Sequence, residues 1–260
     1  MRENRVKTIW KEGGAVVNGW LSIPNGMPAE FMAHQGWDSL TIDLQHGIVD
    51  YQAAVGMLQA ISTTAVTPLV RVPWNEPGII QKLLDAGAYG VICPMINSRA
   101  ECESFVGACR YPPRGYRSWG PVRGLVYGGP DYAKEANGTI LALAMIETEQ
   151  AIRNMDEIMS VPGLDGVYIG PSDLAISMGF APGFDPTEPK LVEAFKTIVA
   201  AAKRHGIAAG IHVGSVGYAL KMIKEGYRFV SLLSELRLMS WVAKNAVAAV
   251  KAGQPTPGAP

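Results

Sequence analysis

Short apolar runs alternate along this chain with longer segments in which apolar residues recur at helical spacing. Ala15–Ser22, Ser39–Leu44, Thr67–Val72, Gly90–Met95, Ile140–Ile146, Gly166–Ile169, Ile207–Val213 and Arg228–Leu233 read as strands. Between them the pattern predicts helices at Pro28–His34, Tyr51–Ile61, Ile79–Ala86, Arg99–Arg110 and Glu149 to about Met159, then around Leu174 and over Leu191–His205 and Val216–Glu225, with a last one reaching about Lys251. The strands are apolar on both faces instead of alternating, which is the signature of a parallel sheet covered on both sides.

Eight strand–helix units point to a closed (β/α)8 barrel, and 260 residues is a usual length for one. The expected organisation is a single barrel domain over residues 1–252 and a flexible Pro/Gly tail at 253–260. An open doubly wound sheet would call for a glycine-rich first turn, but neither GxGxxG nor GxxxxGK[ST] occurs. The stretch Tyr111–Gly138 shows no periodicity and is rich in Gly, Pro, Arg and aromatic residues, so it reads as a long functional or interface loop. The final helix, Leu236–Val250, carries Leu236, Leu238, Trp241, Val242, Val247 and Val250, more apolar surface than one barrel flank needs, and predicts a homo-oligomer.

Composition narrows the function. Hydrophobic residues make up 48% and charged residues 18%, enough to bury a large core. Lys+Arg and Asp+Glu are 23 each, a balance that argues against a nucleic-acid or anionic-membrane surface. No apolar run approaches the ~20 residues of a membrane helix, and the polar N-terminus does not resemble a signal peptide. Cys93, Cys102 and Cys109 lack metal-site spacing and read as reduced, buried thiols of a cytoplasmic protein; the sequon at Asn137 is then irrelevant.

Chemistry in such a barrel sits at the C-terminal ends of the strands. There the chain places Asp43, Gln45 and His46, then Arg71, then Glu147, then Gly170, Ser172 and Asp173. Glu147 and Asp173 are paired carboxylates that suit a hard divalent cation with positions left for substrate oxygens, or else a helix-start charge and an N-cap. Arg71 ends a buried strand and needs an anion there: a substrate, or a carboxylate such as Asp43. His46 is a candidate general base or proton relay with Asp43 orienting it. The turn opening at Gly170 offers backbone N–H groups to an anion, or is an ordinary cap. His212 could line the pocket, and Trp20, Trp74 and Trp119 could wall it; His34 reads as a helix-end partner.

RVPWNEP, LLDAGAYGVICPMI, CRYPPRGYRS, IETEQA and GVYIGPSDLAISMG, in that order, resemble the HpcH/HpaI aldolases, class II pyruvate aldolases related to 2,4-dihydroxyhept-2-ene-1,7-dioate aldolase. The resemblance runs from about Gly19 to about Leu238. It implies a (β/α)8 barrel of the phosphoenolpyruvate/pyruvate superfamily, with the last helix swapped between subunits, commonly in hexamers. By position it implies metal ligation by Glu147 and Asp173, catalysis by Arg71 and by His46 with Asp43, carboxylate binding at Ser172 and Asp173, and a site tryptophan at Trp20. Gln45 stands where many members have Glu, Met145 where many have Gln, and the family's RGxG stretch is Arg117-Ser-Trp119-Gly; these departures bear on the substrate.

The expected function is reversible aldol cleavage and addition between a pyruvate or hydroxypyruvate enolate and an aldehyde, using Mg²⁺, Mn²⁺ or Co²⁺. No lysine stands at a strand end in a place suited to a Schiff base. A related carbon–carbon lyase acting on a CoA thioester, a 2-oxo acid decarboxylase with the same enolate chemistry, a non-catalytic binding barrel and a phosphate-binding isomerase stay open; the last would use Gly214-Ser-Val-Gly217.

Overall fold

The computed structural model describes residues 1–253; the tail expected to be flexible falls, from residue 254 on, outside the described residues. The strands are β1 (Val16–Leu21), β2 (Ser39–Asp43), β3 (Thr67–Arg71), β4 (Gly90–Cys93), β5 (Leu141–Met145), β6 (Gly166–Ile169), β7 (Ala208–Val213) and β8 (Phe229–Leu232). They close into one parallel barrel in sequence order, β8 pairing back onto β1. The helices are α1 (Arg5–Lys11), α2 (Gly26–Ala33), α3 (Tyr51–Ile61), α4 (Pro77–Asp85), α5 (Arg99–Cys109), α6 (Val122–Gly128), α7 (Tyr132–Thr139), α8 (Glu149–Arg153), α9 (Met155–Met159), α10 (Pro171–Ser177), α11 (Pro189–Arg204), α12 (Val216–Lys224) and α13 (Glu235–Ala252).

Two apolar layers hold the barrel. Residues on one side of each strand fill its interior: Trp20, Leu69, Ile92, Leu143, Tyr168 and Phe229 pack together there. Residues on the other side meet the surrounding helices, which explains why every strand read as a continuous apolar run. Side chains start most helices: Asn25, Asp50, Glu76, Ser98, Thr148, Ser215 and Ser234 each accept a first-turn backbone N–H. Asn154 splits the helix expected over Glu149–Met159 into α8 and α9.

Two features depart from the expectations. The polar N-terminus forms α1, whose Val6, fully buried, joins the interior layer with Ile9 and Trp10 against it, stopping the barrel at its N-terminal end. The stretch 111–138 is not a loop at the strands' C-terminal rim. It holds α6 and α7 and is anchored by Arg117, whose Nη2 donates to Asp85 Oδ1 (2.7 Å) and to the Tyr132 hydroxyl (3.0 Å). The Arg117 guanidinium also lies 4.5 Å from the Tyr111 ring centre. Because α5 runs back to the N-terminal face, this segment lies at the end of the barrel opposite the strand C-termini. Trp119 is therefore not a pocket residue: it is 55% exposed, packed against Tyr111 at 5.3 Å. The three cysteines are free and buried, and burial raises all three thiols, Cys102 and Cys109 to about 12.

Candidate active site

A cavity of about 300 Å³ opens at the C-terminal ends of the strands, bordered by Trp20, Asp43, His46, Arg71, Met145, Ser172, Asp173 and His212. A larger cavity, about 500 Å³, lies at the other end. There Lys7 and Arg110 are both paired with Asp165, at 2.8 and 2.7 Å. The smaller cavity is where the barrel converges its chemistry.

Asp43 and Arg71 are neighbours across β2 and β3, whose register places their Cα atoms side by side. Arg71 grips the carboxylate with two bonds, Nε to Oδ1 at 2.9 Å and Nη2 to Oδ2 at 2.6 Å. Trp20 Nε1 adds a third donor at 3.1 Å, and the backbone N–H groups of Gln45 and His46 add a fourth and fifth at 3.0 and 3.2 Å. Burial alone would raise the Asp43 pKa; Arg71 and the other donors outweigh it and hold the group below the ordinary carboxylate value. Asp43 thus orients Arg71, whose guanidinium lies 4.9 Å from the Trp20 ring centre. It meets His46 through the backbone N–H only; the His46 side chain is exposed at the cavity rim and is not held by Asp43.

Glu147 follows β5, two residues past its end, and is 2% exposed. Its Oε1 accepts the Met95 N–H at 2.7 Å, and no described residue donates to Oε2 or forms an ion pair with it. Met95 adopts φ 56, a left-handed conformation that costs a non-glycine residue about 1 kcal/mol. That conformation aims its N–H at the carboxylate. Burial, and after it the charge of Asp173, pushes Glu147 up to about 7 against the opposing Met95 bond. Gly170 explains itself here: a Cβ at this position would collide with Glu147 Oε2. Asp173 stands exposed in the first turn of α10, and the N–H groups of Ser172 and Asp173 have no partner among the described residues.

The opposite wall holds His212, which the sequence placed at the pocket, together with residues it did not single out. Tyr168, fully buried, stacks on Trp20 at 5.8 Å, and its hydroxyl is 3.2 Å from His212 Nδ1. Burial, with the positive charges of Arg71 and Arg237, pushes His212 down to about 3, so it is neutral. Phe184 tilts against His212 at 5.3 Å, and Arg237 borders the cavity from α13. Gln45 and Trp74 do not line the cavity. Phe184 and Arg237 lie in a loop and a helix that only the closed barrel brings to the rim. The Gly214 N–H is already donated to Asp185 Oδ1 at 2.7 Å, so the Gly214-Ser-Val-Gly217 turn faces a carboxylate and is no phosphate site.

Comparison with known proteins identifies the family. The model of the HpcH/HpaI aldolase/citrate lyase family matches residues 19–240. The chain is 43% identical to the hydroxypyruvate/pyruvate aldolase of Rhizorhabdus wittichii, over 96% of this chain and 99% of the relative. It is 34% identical to the 4-hydroxy-2-oxo-heptane-1,7-dioate aldolase of Salmonella dublin, over 92% of this chain and 91% of the relative. Its fold superposes on an HpcH/HpaI aldolase/citrate lyase family protein of Burkholderia cenocepacia with a TM-score of 0.89 at 29% identity, covering 95% of this chain and 99% of that one. With a family match across most of its length and curated relatives above 30% identity at nearly full coverage, the chain belongs to the HpcH/HpaI aldolase/citrate lyase family.

Proposed function

We propose that this protein is a divalent-metal-dependent aldolase that cleaves and forms 4-hydroxy-2-oxo acids, with pyruvate or hydroxypyruvate as donor and an aldehyde as acceptor. The observation that carries this reading is the buried Glu147 carboxylate, one oxygen unbonded, packed behind Gly170 at the wall of a cavity that Asp173 and the Arg71–Asp43 pair border. A buried carboxylate with no cationic partner is costly unless a cation joins it. Glu147 and Asp173 offer hard oxygen donors, and Gly170 keeps the space beside Oε2 open, so the residues present fit Mg²⁺, Mn²⁺ or Co²⁺. When bound, such a cation supplies Lewis-acid polarisation of the 2-oxo group.

The chain's own groups do the rest. The Ser172 and Asp173 N–H groups receive the donor's carboxylate. Arg71, held in orientation by Asp43, donates to the oxygen on which negative charge grows as the C3–C4 bond breaks and the donor becomes an enolate. His46, at the rim, takes the proton of the 4-hydroxyl directly or through a water and returns one to the enolate carbon. Neutral His212 and Tyr168 line the acceptor side. With Met145 where many relatives carry glutamine, the donor end is less polar.

Helix α13 supports a homo-oligomer, with a hexamer as our reading. Of its residues only Glu235 is buried, while Met239, Trp241, Val242, Val247 and Val250 are exposed, so α13 has almost no packing on its own barrel. A neighbouring barrel would cover it. No helix of the described residues is long and apolar enough to cross a membrane, and the free buried thiols suit work in the reducing cytoplasm.

The test is pyruvate release from a 4-hydroxy-2-oxo acid before and after chelation, with metal titration by calorimetry and circular dichroism on Glu147→Gln and Asp173→Asn. Activity lost on chelation and regained with Mg²⁺ or Mn²⁺ is expected. Each variant should lose metal affinity and activity with its dichroism unchanged. Wild-type affinity in either variant would reduce that residue to a helix-start charge.

A further inference from the structure

The larger cavity, at the N-terminal end of the barrel, gathers more positive than negative charge. Lys7, Arg110 and Arg114 line it against one carboxylate, Asp165. That carboxylate is already fully engaged: Oδ1 accepts from Lys7 Nζ at 2.8 Å, while Oδ2 accepts from Arg110 Nη2 at 2.7 Å and from the Ala142 N–H at 2.8 Å. Arg114 lines the same cavity and forms no ion pair and no side-chain hydrogen bond with any described residue.

Fold stability does not account for the whole of Arg110. The residue is 2% exposed, yet among the described residues only its Nη2 is bonded, to Asp165 and to the Gly163 carbonyl, each at 2.7 Å. Nη1 is buried without a partner, and Nε donates to no described residue. Unmatched donors on a buried cation are costly unless an anion joins them. Gly163 has no side chain to cover Nε; a Cβ there would stand 3.8 Å from it. The turn that carries Arg114 is held as well. Asn137 accepts the Tyr111 N–H at 2.7 Å and donates to the Tyr111 carbonyl at 3.0 Å, and that carbonyl also accepts the Arg114 N–H at 3.1 Å.

We propose that this end of the barrel is a second binding site, for a phosphate dianion, free or as the head of a small phosphate ester. Three cations against one carboxylate leave a surplus that a dianion matches. They arrive from α1, from the end of α5 and from the turn after it. A tetrahedral head presents oxygens in all three directions, whereas a planar carboxylate would engage one fork. The adjoining hollow shares Arg114 and adds Lys134 with Glu135, whose carboxylate already faces the N-terminal ammonium at 3.4 Å, so it does not cancel the surplus. About 500 Å³ is more than a phosphate ion fills, and no aromatic ring lines the cavity for a nucleobase to stack on. The remainder of an ester is therefore small and non-aromatic. The site lies opposite the cavity of the strand C-termini and does not depend on the aldolase reading.

Calorimetric titration of the full chain with inorganic phosphate and with glycerol 3-phosphate, at constant ionic strength, tests this. Saturable binding with Kd below about 1 mM is expected. Tighter binding of glycerol 3-phosphate assigns the site to an ester, and equal binding to the free ion. Lys7→Gln and Arg114→Ala each remove one cation and leave the Arg110–Asp165 pair in place, so the fold is kept, which circular dichroism checks. Each should weaken binding roughly 3- to 10-fold, and the double variant by about 10- to 100-fold, the range of one or two charge-assisted bonds. Arg71→Ala, altered at the opposite end, should bind phosphate at this site as the wild type does. No saturable heat from either anion overturns the proposal. So does binding that survives unchanged in the double variant, or that is lost in Arg71→Ala alone, since the anion would then sit among the strand C-termini.

Discussion

Asp43 receives five N–H donors, two of them from Arg71, and that convergence makes it an orienting anion. Arg71 is the group it orients, and a guanidinium aimed at a developing oxyanion acts mainly in the transition state. Arg71→Ala should lower kcat by about two to three orders of magnitude. Arg71→Lys should restore only part, because a point charge cannot reproduce the two-pronged grip on Asp43. Steady-state kinetics on both variants checks this; near-normal turnover in Arg71→Ala would leave Arg71 a structural partner of Asp43. Glu147 yields a pH prediction for metal-free protein. Its folded pKa, about 7, lies above its ordinary value of 4.5, so between those values the folded state binds more protons than the unfolded one. Stability therefore falls as pH rises from about 4.5 to about 7 and stays low above. Melting curves of chelated protein should show that decline, Glu147→Gln should flatten it, and added Mg²⁺ should raise Tm most at the upper end of the range.

At the scale of elements, the α6–α7 excursion shows how a helix can escape its sequence signature. Gly124 and Gly128 lie within α6, and a Cβ on either would press on the Tyr132 ring. Close packing of that ring demands the glycines, and the glycines erase the helical pattern. Arg117 then binds the excursion to α4 through Asp85 while touching both Tyr111 and Tyr132. Arg117→Met should destabilise the fold by about 2–4 kcal/mol, below a fully buried pair because Asp85 keeps some solvent. The urea midpoint measures this. The kcat/KM of the folded variant should stay close to wild type, since the segment lies at the far end of the barrel; a large fall would mean that it reaches the cavity.

At the scale of the whole molecule, α13 is the element the monomer leaves unfinished. Exposed Trp241 and its apolar neighbours form a surface that a soluble monomer rarely presents. Trp241→Glu puts a charge in that surface and should shift the particle toward monomers and small oligomers while the barrel stays folded. Light scattering at working concentration reads the mass; a monomeric wild type would reject the oligomer outright. Because Ser234 and Arg237 border the cavity from the same helix and its cap, a displaced α13 should also weaken acceptor binding.

The amino-acid pattern by itself determined the barrel and which polar residues stand at its C-terminal rim. Both faces of a parallel barrel strand are buried, so an apolar run marks the strand, and the first charge after the run falls on the C-terminal rim. Asp43, Arg71, Glu147 and Asp173 were all singled out that way; Asp43, Arg71 and Asp173 border one cavity, and Glu147 is buried behind its Gly170 wall. Trp119, offered as an aromatic that could wall the pocket, was misplaced, because a long aperiodic stretch says nothing about which end of the barrel it serves. The pattern reading also passed over α1, although the spacing of Val6, Ile9 and Trp10 was an available helical signal. Only tertiary structure decided the partners. The sequence left Asp43 open as a partner of either His46 or Arg71; the register of β2 on β3 sets Arg71 beside it. Tyr168 is hidden within an apolar strand, and Phe184 and Arg237 carry no strand-end signal. What places them at the cavity is closure of β8 onto β1, a long-range event that no local pattern encodes.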